Sequence, residues 1–234
     1  MVIKMNIETF KIHFQQHDIF VKLPKAYEEA KESGYSLILV QDGDELFKDI
    51  ERDMILVGVQ SNNRNQDYSP WETVVDGVHY KGEADAYILW MTKHLLPYLR
   101  KCFNISQRNE DICIAGASLG GLLALYTLFK SPKNFGSYIL ISPSVWYPGF
   151  VQFMKQQTVI KDDKQIYWYV GALEGQQQFS MKQEMFVRTE FAVDILSELL
   201  FSDKAIFYYT TNRNGKHNVL YFKSYFAKAI KKLF

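Results

Sequence analysis

Apolar and polar residues alternate through Ile7-Glu8-Thr9-Phe10-Lys11-Ile12-His13-Phe14, the period-two pattern of a strand with one buried face. Asp18 to Leu23 repeats the pattern and stops at Pro24, so the two segments read as an antiparallel pair. Beyond them the pattern changes. Segments 36–40, 54–59, 112–115, 138–141, 166–170 and 205–209 are unbroken apolar runs rich in β-branched and aromatic residues. Strands buried on both faces of a parallel sheet look like this. Between most of them the apolar spacing becomes helical: 84–101, where Ile88, Leu89, Leu95, Leu96 and Leu99 share a face, then 119–129, 184–201 and 219–233. A bend is expected before Pro97, which has no N–H to continue the ladder. Residues 44–52 have room for a short helix.

Two antiparallel strands followed by six strands alternating with helices predict a mostly parallel eight-stranded sheet with an antiparallel N-terminal hairpin and helices on both faces. That is the α/β-hydrolase architecture. Residues 1–234 contain no repeat, low-complexity tract or Pro/Ser-rich linker, so a single domain with no large cap domain is expected.

Composition narrows the class further. Hydrophobic residues make up 47% and charged residues 23%, as in an ordinary soluble globular protein able to bury a large core. Lys and Arg total 27 against 26 Asp and Glu, for a formal net charge of +1. No strongly basic face is implied, so nucleic acid is not an expected partner. Lys228, Lys231 and Lys232 near the end of the last helix suit its dipole. Met1 to Asn6 lacks the apolar core of a signal peptide, and no apolar run reaches membrane-spanning length. The two cysteines, Cys102 and Cys113, form neither a metal-ligand spacing nor a disulfide framework. The expectation is a cytoplasmic protein with reduced thiols, no membrane partner, no metal and no cofactor; nothing in the pattern sets an oligomeric state.

The chemistry is concentrated in Gly116-Ala117-Ser118-Leu119-Gly120-Gly121. A Gly-x-Ser-x-Gly turn joining a strand to a helix holds a serine hydroxyl out as a nucleophile. Glycine at 116 and 120 is expected where a Cβ would strike the neighbouring strand or helix, with the glycines absorbing strained dihedrals. A serine hydroxyl is a poor nucleophile near neutral pH, so it requires a base, and the base an orienting acid. On this fold the order along the chain is serine, acid, histidine, with each group at the carboxyl end of a strand.

Of five histidines, His13, His17, His79 and His94 precede Ser118, and only His217 follows it, in the polar loop after the last predicted strand. Eight carboxylates lie between Ser118 and His217. Asp162, Asp163 and Asp203 precede strands, and Glu184, Glu190, Asp194 and Glu198 fall on a helix. Glu174, just past the carboxyl end of the seventh strand, is the preferred acid. Acyl transfer also requires N–H donors for the developing oxyanion. One is the backbone N–H of Leu119; the other is expected from the Gln41-Asp42-Gly43-Asp44 loop, with Asp44 nominated, although Asp-Gly equally suits an ordinary turn.

These segments together resemble the putative esterase family of α/β-hydrolases, which includes enterochelin and other siderophore esterases, feruloyl esterases, esterase D and mycolyltransferases. Phe20-Val21-Lys22-Leu23-Pro24, Leu39-Val40-Gln41-Asp42-Gly43, Leu56-Val57-Gly58-Val59, Arg64 with Tyr68-Ser69-Pro70-Trp71, Leu96-Pro97-Tyr98, the serine turn and Ile141-Ser142-Pro143-Ser144-Val145-Trp146 match its motifs in order. The resemblance implies a cofactor-independent serine esterase with Ser118, Glu174 and His217 as triad. Its substrate would be a small-molecule ester, a siderophore trilactone among the options. A thioesterase such as an S-formylglutathione hydrolase, or an acyltransferase, would use the same triad. The flanks of the histidine, Lys216-His217-Asn218-Val219, depart from the family's Gly-His-Asp or Gly-His-Ser. Arg64 is a candidate for an anionic or catecholate group of substrate, or else a solvated loop cation. Trp146 and Tyr147 are candidates for the pocket wall, or else core aromatics.

Overall fold

In the structure, a computed structural model, residues 9–176 and 180–234 are described. Eight strands form one sheet: β1 (Phe10–Phe14), β2 (His17–Lys22), β3 (Leu37–Gln41), β4 (Ile55–Gln60), β5 (Ile112–Ala117), β6 (Ser137–Ile141), β7 (Gln165–Gly171) and β8 (Ile206–Asn212). Their order is β1-β2-β4-β3-β5-β6-β7-β8. β1 pairs antiparallel with β2, and β2 with β4; every other pairing is parallel. The expected mostly parallel sheet with its N-terminal hairpin is thus present, and residues 7 and 8 of the first expected strand lie outside the described residues. The chain leaves β3 toward β4 on one side and returns to β5 on the other. Such a reversal opens a crevice at the carboxyl ends of the strands, where ligands of open α/β sheets bind.

The helical segments are α1 (Arg64–Asp67), α2 (Ala84–Trp90), α3 (Leu96–Cys102), α4 (Leu119–Lys130), α5 (Phe150–Lys155), α6 (Met185–Leu199) and α7 (Val219–Leu233). Alternate residues of the central strands feed two cores. Leu37, Leu39, Ile112 and Ile114 pack with α2 to α6 on one face. Ile38, Val40, Cys113 and Ala115 pack on the other with Tyr225, Phe226, Ala229 and Ile230 of α7. Both faces are covered, as a parallel sheet requires, but unevenly: among the described residues one face carries a single long helix.

α2 and α3 are joined by a π-helical turn, Met91–Leu95, in which Leu96 N–H donates to Met91 O. Pro97 cannot donate to the carbonyl four residues back, and the wider turn absorbs that gap without breaking the rod. Residues 44–52 form turns rather than a regular helix. Phe47 and Lys48 N–H both donate to Asp44 O, a single wind that sinks Leu46 and Phe47 into the α7-side core. A hairpin of Thr73–Val75 with Val78–Tyr80 stands apart from the main sheet and was not expected. Its turn residues Asp76 and Gly77 both have positive φ, 53° and 75°, as an Asp-Gly type I′ turn demands. Among the described residues no helix is long and apolar enough to cross a membrane.

Candidate active site

Ser118 ends β5 and begins α4 with φ 58° and ψ −121°, a backbone conformation L-residues rarely adopt. Its N–H donates to Ile141 O at 3.0 Å, and its carbonyl accepts from Leu122 N–H at 2.9 Å. The strain therefore falls on the serine, not on the flanking glycines as the sequence pattern suggests. Gly116 has the steric role: a Cβ there would stand 2.3 Å from the backbone carbon of Gly120. Gly120 is less constrained, since a Cβ on it would meet the Gln41 side chain at 3.0 Å. Leu119 N–H lies in the first turn of α4, where no intrahelical acceptor exists.

Two loops bring polar groups to this hydroxyl. Glu174 follows β7, and His217 lies between β8 and α7. His217 Nε2 is 3.0 Å from Ser118 Oγ, and Nδ1 is 2.7 Å from Glu174 Oε2. With Nδ1–H donating to the carboxylate, Nε2 is left to accept the serine proton. Glu174 is buried, its other oxygen accepting from Ser142 Oγ at 2.6 Å and Gly171 N–H at 2.9 Å. The two loops are stitched together by Ala172 N–H to Asn212 O and Leu173 N–H to Gly215 O. Gly171 permits their approach, because a Cβ on it would lie 2.4 Å from Gly215. Asn218 caps α7, its side chain accepting from Tyr221 N–H. Asn, Asp and Ser are all strong N-cap residues, so the departure at 218 preserves the physical role of that position.

A cavity of about 360 Å³ opens over Ser118, lined also by Arg64, Asn65, Tyr80, Leu119, Trp146, Gly175, Lys182, Met185 and His217. Arg64 and Trp146 thus face it, as expected. Tyr147 does not: it is buried beneath, donating its hydroxyl to Trp71 O and packing edge-on to Tyr80. Burial pushes the Tyr147 phenol up to about 12. Nor does Asp44 line the cavity. Gly58 lacks the side chain that would collide with Gly43 O at 2.3 Å, and the Gly43-Asp44 turn consequently packs down over β4. Arg64 is gripped by Asp42 through Nε at 3.0 Å and Nη2 at 2.8 Å. Burial works to lower the guanidinium, but the Asp42 bonds outweigh it and hold it above its ordinary value. A larger cavity, about 600 Å³, lies at the amino end of β4 between Leu23, Ile50 and Met54. Lys22 is engaged with Lys48 O and Lys25 with Glu51, and among the described residues no nucleophile–base pair faces it.

A family model for putative esterases matches residues 14–233. The chain belongs to the putative esterase family. It is a carboxylic ester hydrolase. Among relatives, the uncharacterised protein YbbA of Bacillus subtilis strain 168 is 24% identical over 227 residues, 91% of this chain and 90% of that protein. An IroE-like serine hydrolase from Shewanella oneidensis superposes with a TM-score of 0.77 at 21% identity, covering 93% of this chain and 75% of that one. The siderophore hydrolase EstB from Aspergillus nidulans superposes with a TM-score of 0.70 at 20% identity, covering 97% and 96%. At these identities the superpositions speak for the fold.

Five lining residues of the esterase, Asn65, Tyr80, Gly175, Lys182 and Met185, are not among the candidates nominated from sequence. Tyr80 arrives on the small hairpin, and Asn65 beside Arg64 in α1. Lys182 and Met185 come from the segment after the acid loop. Lys182 Nζ lies 3.0 Å from Asp76 on the hairpin and 5.5 Å over the Trp146 ring. The Asp76-Gly77 pair was the one available signal for this wall, since Asp-Gly is a strong hairpin dipeptide. No local pattern marks Lys182.

Proposed function

We propose that the esterase works through an acyl-enzyme formed on Ser118, with His217 as general base and acid and Glu174 as the carboxylate that orients it. The supporting observation is the continuous chain from Ser118 Oγ through His217 to Glu174, at 3.0 and 2.7 Å. Ser118 Oγ attacks the ester carbonyl as its proton passes to His217 Nε2. The tetrahedral oxyanion is stabilised by Leu119 N–H at the head of α4. His217 then protonates the departing alcohol, and a water molecule, deprotonated by the same nitrogen, releases the acid and restores Ser118.

The substrate is inferred to be a siderophore ester. The aromatic walls Tyr80 and Trp146 beside the cations Arg64 and Lys182 suit an aromatic or anionic acyl group. The siderophore hydrolase activity named for EstB supports the same direction. Turnover of a catecholate trilactone, a feruloyl ester, S-formylglutathione and p-nitrophenyl butyrate, each by wild type and Ser118→Ala, tests the reading. Preference for the trilactone with complete dependence on Ser118 is expected. Hydrolysis that survives Ser118→Ala would refute the nucleophile, and preference for S-formylglutathione would refute the substrate class.

A further inference from the structure

The Glu174 side chain is withdrawn entirely from solvent. A carboxylate so placed needs donors on both oxygens. His217 occupies Oε2, while Oε1 receives Gly171 N–H at 2.9 Å and the Ser142 hydroxyl at 2.6 Å. Rotation about the last bond of a glutamate side chain is intrinsically soft. A single donor on Oε1 leaves the carboxylate free to swivel about that contact; a second, approaching from a different strand end, fixes its plane.

Ser142 is itself unusual. It follows β6, is fully buried and has φ 46°. Glycine would satisfy that backbone more easily, and the backbone bond from Ser142 N–H to Tyr169 O requires no side chain. What serine adds is a hydroxyl, and among the described residues the hydroxyl's partner is Glu174.

We propose that Ser142 is a positioning residue, whose hydroxyl locks the Glu174 carboxylate in the rotation that presents Oε2 to His217; this rests on the Ser118–His217–Glu174 reading above. Ser142 does not line the substrate cavity. Its removal should therefore lower kcat and leave KM alone, because an interaction realised through the triad is lost and no ground-state contact is.

The test is p-nitrophenyl butyrate kinetics of wild type, Ser142→Gly, Ser142→Ala, Glu174→Ala and the double variant Ser142→Gly/Glu174→Ala, with melting curves for each. Both Ser142 variants are expected to lose roughly tenfold in kcat, the scale of one hydrogen bond to a charged group. KM should stay within about twofold. Ser142→Gly should melt closer to the wild-type temperature than Ser142→Ala does, since both lose the same hydrogen bond and glycine alone relieves the positive φ. In the Glu174→Ala background, Ser142→Gly should cost nothing further, because the group it positions is gone. Full kcat in Ser142→Gly, or an undiminished loss in the double variant, would overturn the proposal while leaving the triad standing. An unimpaired Glu174→Ala would instead overturn the assignment of the acid.

Discussion

Ser118 and His217, the proposed nucleophile and base, are held in opposite ways. Ser118 follows β5, an interior strand, in a turn whose shape is enforced by Gly116 closing on Gly120 and by a helix, α4, buried at ten successive positions from Leu119 to Leu128. His217 sits in a loop after β8, the edge strand, with its side chain 37% exposed. It is kept in place by hydrogen bonds and by an aromatic neighbour, Phe222, at 4.8 Å. Repulsive packing fixes the group that must not move. Directed bonds fix the group proposed to exchange a proton.

That contrast sets an order of expected damage. Ser118→Ala should reduce ester hydrolysis by about 10⁶-fold and abolish covalent labelling by a fluorophosphonate, with the melting curve almost unmoved; residual labelling at wild-type rate would remove the asymmetry altogether. Glu174→Gln should cost about 10⁴-fold in kcat in a chain that still folds, because it spoils orientation and not packing. Circular dichroism beside the kinetics checks that pairing. Gly116→Ala belongs to the other side. It should lower stability by about 3 kcal/mol through overpacking, read as a fall in denaturant midpoint, whereas Gly120→Ala should fall by clearly less. Equal losses at 116 and 120 would mean that the turn is not governed by the Gly116 approach. Smallest is Asn218→Ala, about 1 kcal/mol from the lost cap of α7, with a minor drop in kcat as the histidine loop loosens. Urea titration and initial rates measure both.

The rigid half was also the legible half. Unbroken apolar runs marked β3 to β7 because strands buried on both faces leave no choice of residue type. β8, an edge strand with no fully buried residue, showed itself instead by its aromatic and β-branched residues. The glycine turn declared itself by its spacing. Glu174 and His217 could be nominated from chain order alone, since the fold delivers strand ends in a known sequence. The cavity walls were not legible. Tyr80 rides on strands three residues long, too short for a period to register, and Lys182 is held at the site by contacts distant in sequence, with Asp76 and the Trp146 ring. The position of Asp44 was not legible for a similar reason: how its turn packs depends on the missing side chain of Gly58, a residue on another strand. Tyr147 differs from Trp146 by one position, and packing against Trp71 and Tyr80 decides which of the two faces the cavity.

Among the described residues β8 has a single neighbour in the sheet, β7, and the loops that follow the two strands carry His217 and Glu174. An edge strand opens in local fluctuations more readily than the strands inboard of it. On warming, the esterase should therefore pass through a range in which β5 and its serine remain protected from hydrogen exchange while the amides of β8 no longer are. Turnover would then fade before the fold does, and it would return on cooling without any refolding of the core.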